Sequence, residues 1–398
     1  MRRYLVSDIF IYSDLIINNL SNDDYEYDID NVEISNDMLL RFKESVKPIS
    51  GLVKSTNIGE ISLYPELHLY LDSFINLEIL RFCNPEAEIN LTSLNLILTR
   101  SLKLNELSLF YITIYSDEIG DANKILFPPT LTKLSINWCV WPDYYQKLRD
   151  NSITVPTLGP YSLLSTQKFN QLVNFEYSSS TLNADFNPAL SILKNSPILR
   201  TLNLEVRFLS LEVFDLISRL TSLQSIELNN SYGTDIKLED FKHHSSYSKI
   251  IRFSYPFTEN DSRSLPNIEL LLSRFHNLKA LSLSFEDPFL PHIKNILEKL
   301  SNLQKFEIFN FNGYESYLTL NITNKTITTL NIYNFKVDQL NFKDFEGWYV
   351  LKSIELKFDA FFIMNYNYSW EDEQVKNKVG TNWLFFNCPD EYIRLYKK

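Results

Sequence analysis

The chain is short of glycine, and this shortage excludes the nucleotide-binding loops that are built from it. Only 8 of its 398 residues are Gly, against an average share of about 7%. No two glycines lie closer than eight residues, so neither a GxxxxGKS/T loop nor a GxGxxG turn can form. The sequence therefore argues against P-loop nucleoside triphosphatases, Rossmann dehydrogenases and typical kinases, and it predicts no cofactor.

Clustered positive charge is also missing. The formal net charge is -11, from 38 Lys and Arg and 49 Asp and Glu, and no basic run exceeds a pair. Phosphate backbones and anionic membrane surfaces both require clustered cations. We therefore expect no nucleic acid and no membrane among the partners.

Cysteine and histidine motifs are absent as well. The three cysteines, Cys83, Cys139 and Cys388, lie far apart and form no CxxC motif. They predict neither a zinc site nor a disulfide framework, and three reduced thiols fit a reducing compartment. The five histidines form no HExxH motif, and no GxSxG motif occurs. We therefore expect no metal, no catalytic residues and no enzyme.

Long apolar runs are the last absence. No run approaches the roughly 18 apolar residues of a membrane span. The apolar stretch near the N-terminus is interrupted by Asp8 and Asp14, whereas a secretory signal needs an uninterrupted one. We therefore expect an intracellular protein of the cytoplasm or nucleus.

The sequence does contain an internal repeat, L-x-x-L-x-L, in which L stands for any bulky apolar residue. Its twelve main copies begin at residues 58, 77, 104, 131, 172, 199, 223, 248, 278, 303, 327 and 351. Two fainter copies begin at Val6 and Ile29. Eight of the eleven steps between main copies are 24 to 27 residues long, within the range of about 20–29 residues that leucine-rich repeats use.

Position 5 provides an independent check of the repeat, because each copy was located by its apolar positions 1, 4 and 6 alone. It is polar in all twelve main copies, although 44% of the chain is hydrophobic. Chance would give this result roughly once in a thousand trials. The pattern predicts one short strand per repeat, with positions 4 and 6 inward and positions 3, 5 and 7 outward. Helical spacing recurs between strands at residues 187–193, 210–220, 264–275 and 287–300.

These repeats resemble the leucine-rich repeat superfamily over nearly the whole chain, and their irregular spacing is most like the repeat region of yeast F-box/leucine-rich-repeat proteins. The resemblance implies an α/β leucine-rich-repeat solenoid, a horseshoe with a stacked parallel sheet on its concave face and helices or loops on its convex face. We expect an N-terminal cap with degenerate repeats at 1–57, leucine-rich repeats at 58–360 and a C-terminal cap at 361–398.

The chain departs from the superfamily pattern in two respects. Position 9 is usually Asn or Cys, and among the early repeats only Cys139 matches. Asn stands one residue earlier in four repeats, at Asn84, Asn230, Asn310 and Asn334. The sequence alone offers no physical reason for this shift. No F-box precedes Val6, so we expect the box either to be absent or to lie upstream of Met1.

The outward positions on the concave face form the candidate site, because solenoids commonly bind partners there. Acidic residues in the middle of this face would attract a basic segment of a protein partner, although a plain solvated acidic face is the alternative. Aromatic residues towards its ends are candidate anchors. The candidate partner-binding residues are Asn174, Glu176, Asn203, Glu205, Glu227, Asn229, Arg252, Glu307, Phe309 and Tyr333.

We therefore expect a non-enzymatic scaffold or adaptor that binds a protein partner on its concave face. The F-box resemblance implies a ubiquitin-ligase substrate receptor docked on a ligase scaffold. Two alternatives remain: a regulator or inhibitor that wraps an enzyme, as ribonuclease-inhibitor-like repeats do, and a hydrolase built on an unusual array. Residues 140–171, which cause the 41-residue step, are either a projecting loop or a hidden repeat.

Overall fold

Short parallel strands recur along the chain at the repeat spacing. The structure is a computed structural model that divides into an N-terminal body, Met1–Arg200, and a C-terminal body, Thr201–Lys398. It describes residues 8–11, 40, 44, 46–58, 71, 74–83, 88–115, 125–139, 167–179, 187–229, 247, 249–255, 265–285, 289–310, 317–357, 372–388 and 392–398.

The N-terminal body is built on one parallel sheet with the strand order β1-β2-β3-β5-β7-β8. Strands β4 and β6 form a separate parallel pair. The strands are β1 (Asp8–Ile11), β2 (Ser55–Ile58), β3 (Ile79–Cys83), β4 (Glu88–Asn90), β5 (Glu106–Phe110), β6 (Thr113–Tyr115), β7 (Lys133–Asn137) and β8 (Asn174–Ser178). The helices of this body are α1 (Leu91–Arg100) and α2 (Asn187–Lys194).

The C-terminal body continues the same design with strands β9 to β15 in parallel order, followed by antiparallel β17 and β16. The strands are β9 (Thr201–Glu205), β10 (Ser225–Asn229), β11 (Arg252–Tyr255), β12 (Ala280–Phe285), β13 (Lys305–Asn310), β14 (Thr329–Tyr333), β15 (Ser353–Lys357), β16 (Trp383–Cys388) and β17 (Tyr392–Lys397). The helices are α3 (Leu211–Arg219), α4 (Leu265–Leu272), α5 (Leu290–Lys299) and α6 (Asp372–Val379). Short 3-10 turns lie at Val206–Phe208, Val337–Gln339 and Phe342–Phe345.

Position 4 of each repeat lies beside position 4 of the next, and this register builds the core. The aligned residues of β3, β5, β7 and β8 are Leu80, Leu107, Leu134 and Phe175. Those of β9 to β15 are Leu202, Ile226, Phe253, Leu281, Phe306, Leu330 and Ile354. None of them is more than 3% exposed. Each body is therefore a leucine-rich-repeat solenoid with a stacked parallel sheet, as the spacing predicted.

The repeat assigned to residue 58 is wrong by five residues. Strand β2 pairs Thr56 with Leu80 and Ile58 with Phe82, so this repeat begins at Val53 and places Thr56 at position 4. Thr56 is fully buried, but a search for bulky apolar residues passes over a threonine. The corrected start lies 24 residues before the next repeat. The residues assigned from the wrong frame, 59–64, lie outside the described part of the chain.

The repeat assigned to Ser248 is wrong by two residues. Strand β11 pairs Phe253 with Ile226 and with Leu281, so the repeat begins at Ile250. A shift of two residues keeps every side chain on the same face of a strand, so the apolar pattern could not distinguish the two frames. Arg252 consequently occupies position 3 instead of 5, and it is exposed in either case.

The predicted helices are confirmed at α2, α3, α4 and α5. Ser210 is the N-cap of α3 and its side chain accepts a hydrogen bond from the Val213 amide (3.4 Å), as its residue type favours. Helix α1 was not predicted. Its signal was present, because Asn90 is an N-cap that accepts from the Thr92 amide (2.9 Å).

No strand lies between β7 and β8 in the sheet, although the repeats to which they belong begin 41 residues apart. Strand β7 pairs directly with β8 over five residues, with Leu134 beside Phe175. Most of the step, residues 140–166, lies outside the described residues, as does the fainter copy at Ile29. The copy at Val6 is in register, because Ile9 of β1 pairs with Thr56.

The segment bounds proposed from the sequence, at residues 57 and 360, stay a prediction. No helix in the described ranges is long and apolar enough to cross a membrane.

Candidate partner-binding surface

The open face of each sheet consists of the side chains at positions 3, 5 and 7, on the side away from the core. Strand β10 shows the alternation: Ile226 and Leu228 are buried, whereas Ser225, Glu227 and Asn229 are half-buried. The physical cause is the two-residue period of an extended strand. The open faces of the two bodies are described separately below.

In the N-terminal body the open face carries an ion ladder over three strands. The Glu106 carboxylate on β5 accepts from Arg81 on β3 (2.9 Å) and from Lys133 on β7 (3.1 Å). Burial by itself raises the pKa of Glu106, but the hydrogen bonds from Lys133 and Arg81 outweigh burial and lower it from its usual 4.5. Glu106 is therefore held ionised by its neighbours.

The turn after the strand explains one of the displaced asparagines. Tyr111, Trp138 and Asn334 occupy position 8 and have φ of 58°, 57° and 63°. In each case the backbone amide donates to the position-7 carbonyl of the next repeat, at 2.9, 3.1 and 2.8 Å. Asn tolerates this left-handed conformation better than most residues do, which accounts for Asn334. Asn310 instead lies in β13 and is buried.

Cys139, at position 9, caps a backbone group of the neighbouring repeat. Its thiol donates to the Leu109 carbonyl of the preceding repeat (3.4 Å). Burial raises the pKa of Cys139 to about 12, so the thiol stays protonated and is a structural residue. Cys83, at position 7, is exposed, as its place in the repeat predicted.

The structure places every candidate residue on a strand of the sheet. Asn174 and Glu176 lie on β8 of the N-terminal body. The candidates of the C-terminal body are Asn203 and Glu205 on β9, Glu227 and Asn229 on β10, Arg252 on β11, Glu307 and Phe309 on β13, and Tyr333 on β14. Neighbouring candidates meet in two places, where Asn229 donates to Asn203 Oδ1 (2.8 Å) and where Phe309 stacks on Tyr333.

The expectation that Glu205 presents its carboxylate to solvent is wrong. Its side chain is 1% exposed, and Arg207, which is 8% exposed, donates to Glu205 Oε2. Arg207 follows in the 3-10 turn after β9 and also lies over the Phe208 ring at 4.8 Å. This turn folds the Arg207 guanidinium back onto the strand. The Glu205 carboxylate is therefore neutralised by a buried ion pair instead of facing a partner.

The most distinctive part of the open face is an aromatic shelf formed by Phe309, Tyr333, Lys357 and Tyr392. The rings of Phe309 and Tyr333 stack face to face, with centroids 4.1 Å apart and planes 9° apart. Lys357 Nζ lies 5.7 Å from the Tyr333 centroid and 5.4 Å from that of Tyr392. The shelf therefore crosses four neighbouring strands, β13, β14, β15 and β17.

Charges beside the shelf compensate one another. Glu355 is paired with Lys357 (2.9 Å) and with Arg394. Burial alone raises the pKa of Glu355, but the hydrogen bond from Lys357 and the charges of Lys357 and Arg394 lower it overall. Glu307 is paired with Lys305 (2.7 Å) and accepts from Asn331 (2.8 Å). This end of the face thus offers an aromatic surface, and the charged side chains around it are already paired with one another.

Lys357, Tyr392 and Arg394 were not among the sequence candidates. Strand β17 runs antiparallel to β15 and pairs Tyr392 with Lys357 and Arg394 with Glu355, which brings a segment assigned to the cap onto the open face. The alternation Tyr392-Ile393-Arg394-Leu395-Tyr396 was a usable strand signal, but it did not reveal the neighbouring strand.

Within the described ranges, no group of three or more His, Cys, Asp and Glu side chains is arranged to hold a metal ion.

No protein-family model matches the chain, and no curated protein matches it. Among solved structures it is similar to the leucine-rich repeat-containing protein LegL7 from Legionella pneumophila. The two share 17% identity and a TM-score of 0.42, over 69% of this chain and 89% of that chain. The fold assignment rests on the register and burial of the repeats within each body.

Proposed function

We propose that this protein is a non-enzymatic scaffold that holds a protein partner on the open face of its C-terminal body. The observation that carries the proposal is the aromatic shelf, in which stacked Phe309 and Tyr333 lie beside Lys357 and Tyr392. Large planar side chains in a polar surrounding are the usual anchors of protein interfaces.

The shelf is suited to binding because it is ordered before a partner arrives. Phe309 and Tyr333 lie on strands that pair over five residues, and both side chains are half-buried. Ordering a mobile side chain at an interface costs about 0.5–1.5 kcal/mol, and stacked rings on paired strands have already lost most of that freedom. A partner can therefore gain contact area there at little entropic cost.

The chemistry of the shelf favours a partner that contributes an apolar or planar side chain. The carboxylates next to it, Glu307 and Glu355, are already paired within the face. The basic segment expected from the sequence would instead face Glu227 on β10, which is half-buried. Of the acidic candidates, Glu205 is removed from this role by its ion pair with Arg207.

A ubiquitin-ligase substrate receptor is the finer version of this proposal, and it rests on the resemblance of the repeats alone. It predicts that subunits of a ligase scaffold co-purify with the protein. Recovery of one stoichiometric enzyme whose activity changes on binding would instead favour a regulator that wraps its target.

The test is a quantitative affinity purification followed by reconstitution with the recovered partner. The double variant Phe309→Ala/Tyr333→Ala should raise the partner's dissociation constant at least about tenfold, equivalent to about 1.4 kcal/mol. Tyr317→Ala is the matched control, because Tyr317 is 61% exposed and lies outside the strands of the sheet.

The proposal is supported if the double variant loses the partner while Tyr317→Ala retains it. Equal binding by the wild type and the double variant, with both folded by circular dichroism, would remove the shelf as the binding site.

A further inference from the structure

A second surface of the C-terminal body has the opposite charge character to the rest of the chain. It is the edge of the sheet at which the strands begin, and we call it the lysine rim. The rim comprises the residues around the start of each of six repeats: 221–224, 248–251, 276–279, 301–304, 325–328 and 349–352, of which residue 248 lies outside the described part of the chain.

The rim contains no acidic residue. Asp and Glu make up 49 of 398 residues, so an average sample of these 24 positions would hold about three. The rim instead carries four lysines, Lys249, Lys279, Lys325 and Lys352, together with His276. In a chain of net charge -11, this edge is a local concentration of positive charge.

Backbone hydrogen bonds fix the rim as a continuous row. The position-2 amide of each repeat donates to the position-2 carbonyl of the repeat before it, from Ile251 to Gln224 (2.9 Å) onwards. The following bonds are Lys279 to Ile251 (2.9 Å), Gln304 to Lys279 (2.8 Å), Thr328 to Gln304 (2.8 Å) and Lys352 to Thr328 (2.9 Å). Neighbouring side chains of the row are thus spaced by the separation of strands, about 4.8 Å.

A groove lies in the rim between the repeats that begin at 223 and 303. Its volume is about 460 Å³, within the range of about 300–1,000 Å³ that is usual for ligand sites. Its wall includes Gln224, Lys249, Lys279, Asn302 and Gln304. All five side chains are exposed, so the groove presents ammonium and amide groups to solvent.

Two lysines of the groove differ from the ion-paired lysines of this body. Lys299 is paired with Glu269 (2.6 Å), Lys305 with Glu307 (2.7 Å) and Lys357 with Glu355 (2.9 Å). Within the described ranges, neither Lys249 nor Lys279 forms an ion pair. The side-chain amides of Gln224 and Gln304, beside them, likewise make no hydrogen bond in those ranges. The binding capacity of the groove is therefore unused.

The corresponding edge of the N-terminal body has a different composition. There Lys54 is paired with Glu78 (2.8 Å), on the next repeat. Three exposed apolar side chains, Leu52, Ile75 and Leu102, occupy positions next to the strand starts. This edge thus includes an acidic residue, Glu78, whereas the lysine rim includes none. It also carries Lys103, which donates to Asn76 Oδ1 and not to a carboxylate.

We propose that the lysine rim binds an extended acidic segment of a partner protein, with carboxylates on Lys249 and Lys279 and backbone amides on Gln224 and Gln304. A short acidic segment meets the lysines at close range. A nucleic acid or an anionic membrane would also approach the acidic remainder of the chain, whose repulsion acts over about 8–10 Å in physiological salt. The rim also contains no Arg, the side chain that binds phosphate in bidentate fashion. This site is separate from the aromatic shelf and does not depend on the function proposed for it.

The experiment measures binding of a labelled peptide of alternating Glu and Ser to the full-length protein by fluorescence anisotropy at low salt. A peptide of alternating Gln and Ser is the uncharged control ligand. We expect the acidic peptide to bind at least about tenfold more tightly than its control, since each lysine forms a charge-assisted contact only with the carboxylate form.

Two double variants with the same change in net charge separate the rim from bulk charge. Lys249→Glu/Lys279→Glu should weaken acidic-peptide binding at least about tenfold. Lys343→Glu/Lys398→Glu, at exposed positions outside the rim, should leave it within about twofold. Phe309→Ala/Tyr333→Ala should also bind the peptide normally, which distinguishes failure at the shelf from failure at the rim.

Three results would overturn the proposal. The first is absence of peptide binding, and the second is an equal loss in the two charge-reversed variants. The third is tighter binding of a single-stranded RNA oligonucleotide or of phosphatidylserine vesicles with the same dependence on Lys249 and Lys279, which would make the rim a general polyanion surface.

Discussion

At the scale of single residues, burial on the two sides of a strand is sharply divided. Leu204 on β9 is fully buried and pairs with Leu228, while the preceding Asn203 is half-buried on the open face. Adjacent residues in one strand should therefore differ strongly in their tolerance of a charge.

This difference gives a direct test of the register. Leu204→Asp should lower the free energy of unfolding by at least about 4 kcal/mol, because it removes a core side chain and buries an unpaired carboxylate. Asn203→Asp should change it by less than about 1 kcal/mol, because the oxygen that accepts from Asn229 is retained. Urea denaturation of both variants measures the effects, and equal losses would show that the register is wrong.

Residue-scale features also decide which candidates can reach a partner. Glu205 and Glu227 look equivalent as acidic residues at outward positions, but Glu205 is buried against Arg207. That ion pair depends on the backbone turn at Val206–Phe208, which the repeat template does not describe.

At the scale of elements, ion pairs connect neighbouring strands across the open face. Glu106 on β5 is paired with Arg81 on β3 and Lys133 on β7, and its carboxylate is largely shielded, with 15% of the side chain exposed. Because its pKa is lowered in the folded state, ionised Glu106 stabilises the fold. This contribution is fully present above the unfolded value near 4.5 and is lost as the pH falls through the folded value.

Glu106→Gln should therefore destabilise the protein at neutral pH by about 1 kcal/mol, a modest effect because the partner cations are partly exposed. The difference from wild type should shrink as the pH falls below about 4. Chemical denaturation between neutral pH and pH of about 3 measures both effects. Glu78→Gln is the matched control, since its pair with Lys54 is more exposed and should contribute less than about 0.5 kcal/mol. A loss for Glu106→Gln that stays constant with pH would contradict the ladder.

Individual strands and helices were predicted best where their residue types matched the repeat or helix pattern. Helix α3 was located by Ser210 and its buried face, whereas the repeat at β2 was misplaced because Thr56 occupies a core position. Strand β17 lies within the predicted C-terminal cap, but its pairing with β15 was not predicted because it is antiparallel and non-local. Repeats are thus predictable where the residue type matches the template, and less so where packing tolerates an exception.

At the scale of the whole molecule, the end of the parallel sheet needs protection. Strand β17 covers the edge of β15, and its Ile393 and Leu395 are fully buried. An uncovered edge of unpaired amides and carbonyls is prone to pair with other chains.

Deleting residues 372–398 should therefore cause aggregation, because it exposes the β15 edge and the apolar end of the array. Light scattering and size-exclusion chromatography measure the outcome. Leu384→Ser/Phe386→Ser is a suitable control, since both side chains lie on β16 and are about half exposed, and this variant should stay monomeric. A monomeric truncation with an unchanged melting temperature would show that β16 and β17 do not protect the array.

The distribution of charge is a second property of this scale. The net charge of -11 describes the chain as a whole, while the lysine rim concentrates uncompensated cations on one edge of the C-terminal body. Composition alone argued against nucleic acid and anionic membranes as partners. Only the stacked repeats show that six separate turns, four of them with a lysine and none with an acidic residue, form one row.

The sequence by itself determined the repeat, the inward and outward faces of most strands and the leucine-rich-repeat fold, because these follow from a local two-residue alternation repeated at a regular spacing. It also identified four of the helices, α2 to α5, from their apolar spacing. Tertiary structure alone decided which outward residues are neighbours, as with Lys357 and Tyr392, and which are consumed by internal pairs, as with Glu205 and Arg207. Those relations depend on strand pairing and turn geometry between distant segments, and no local pattern encodes them.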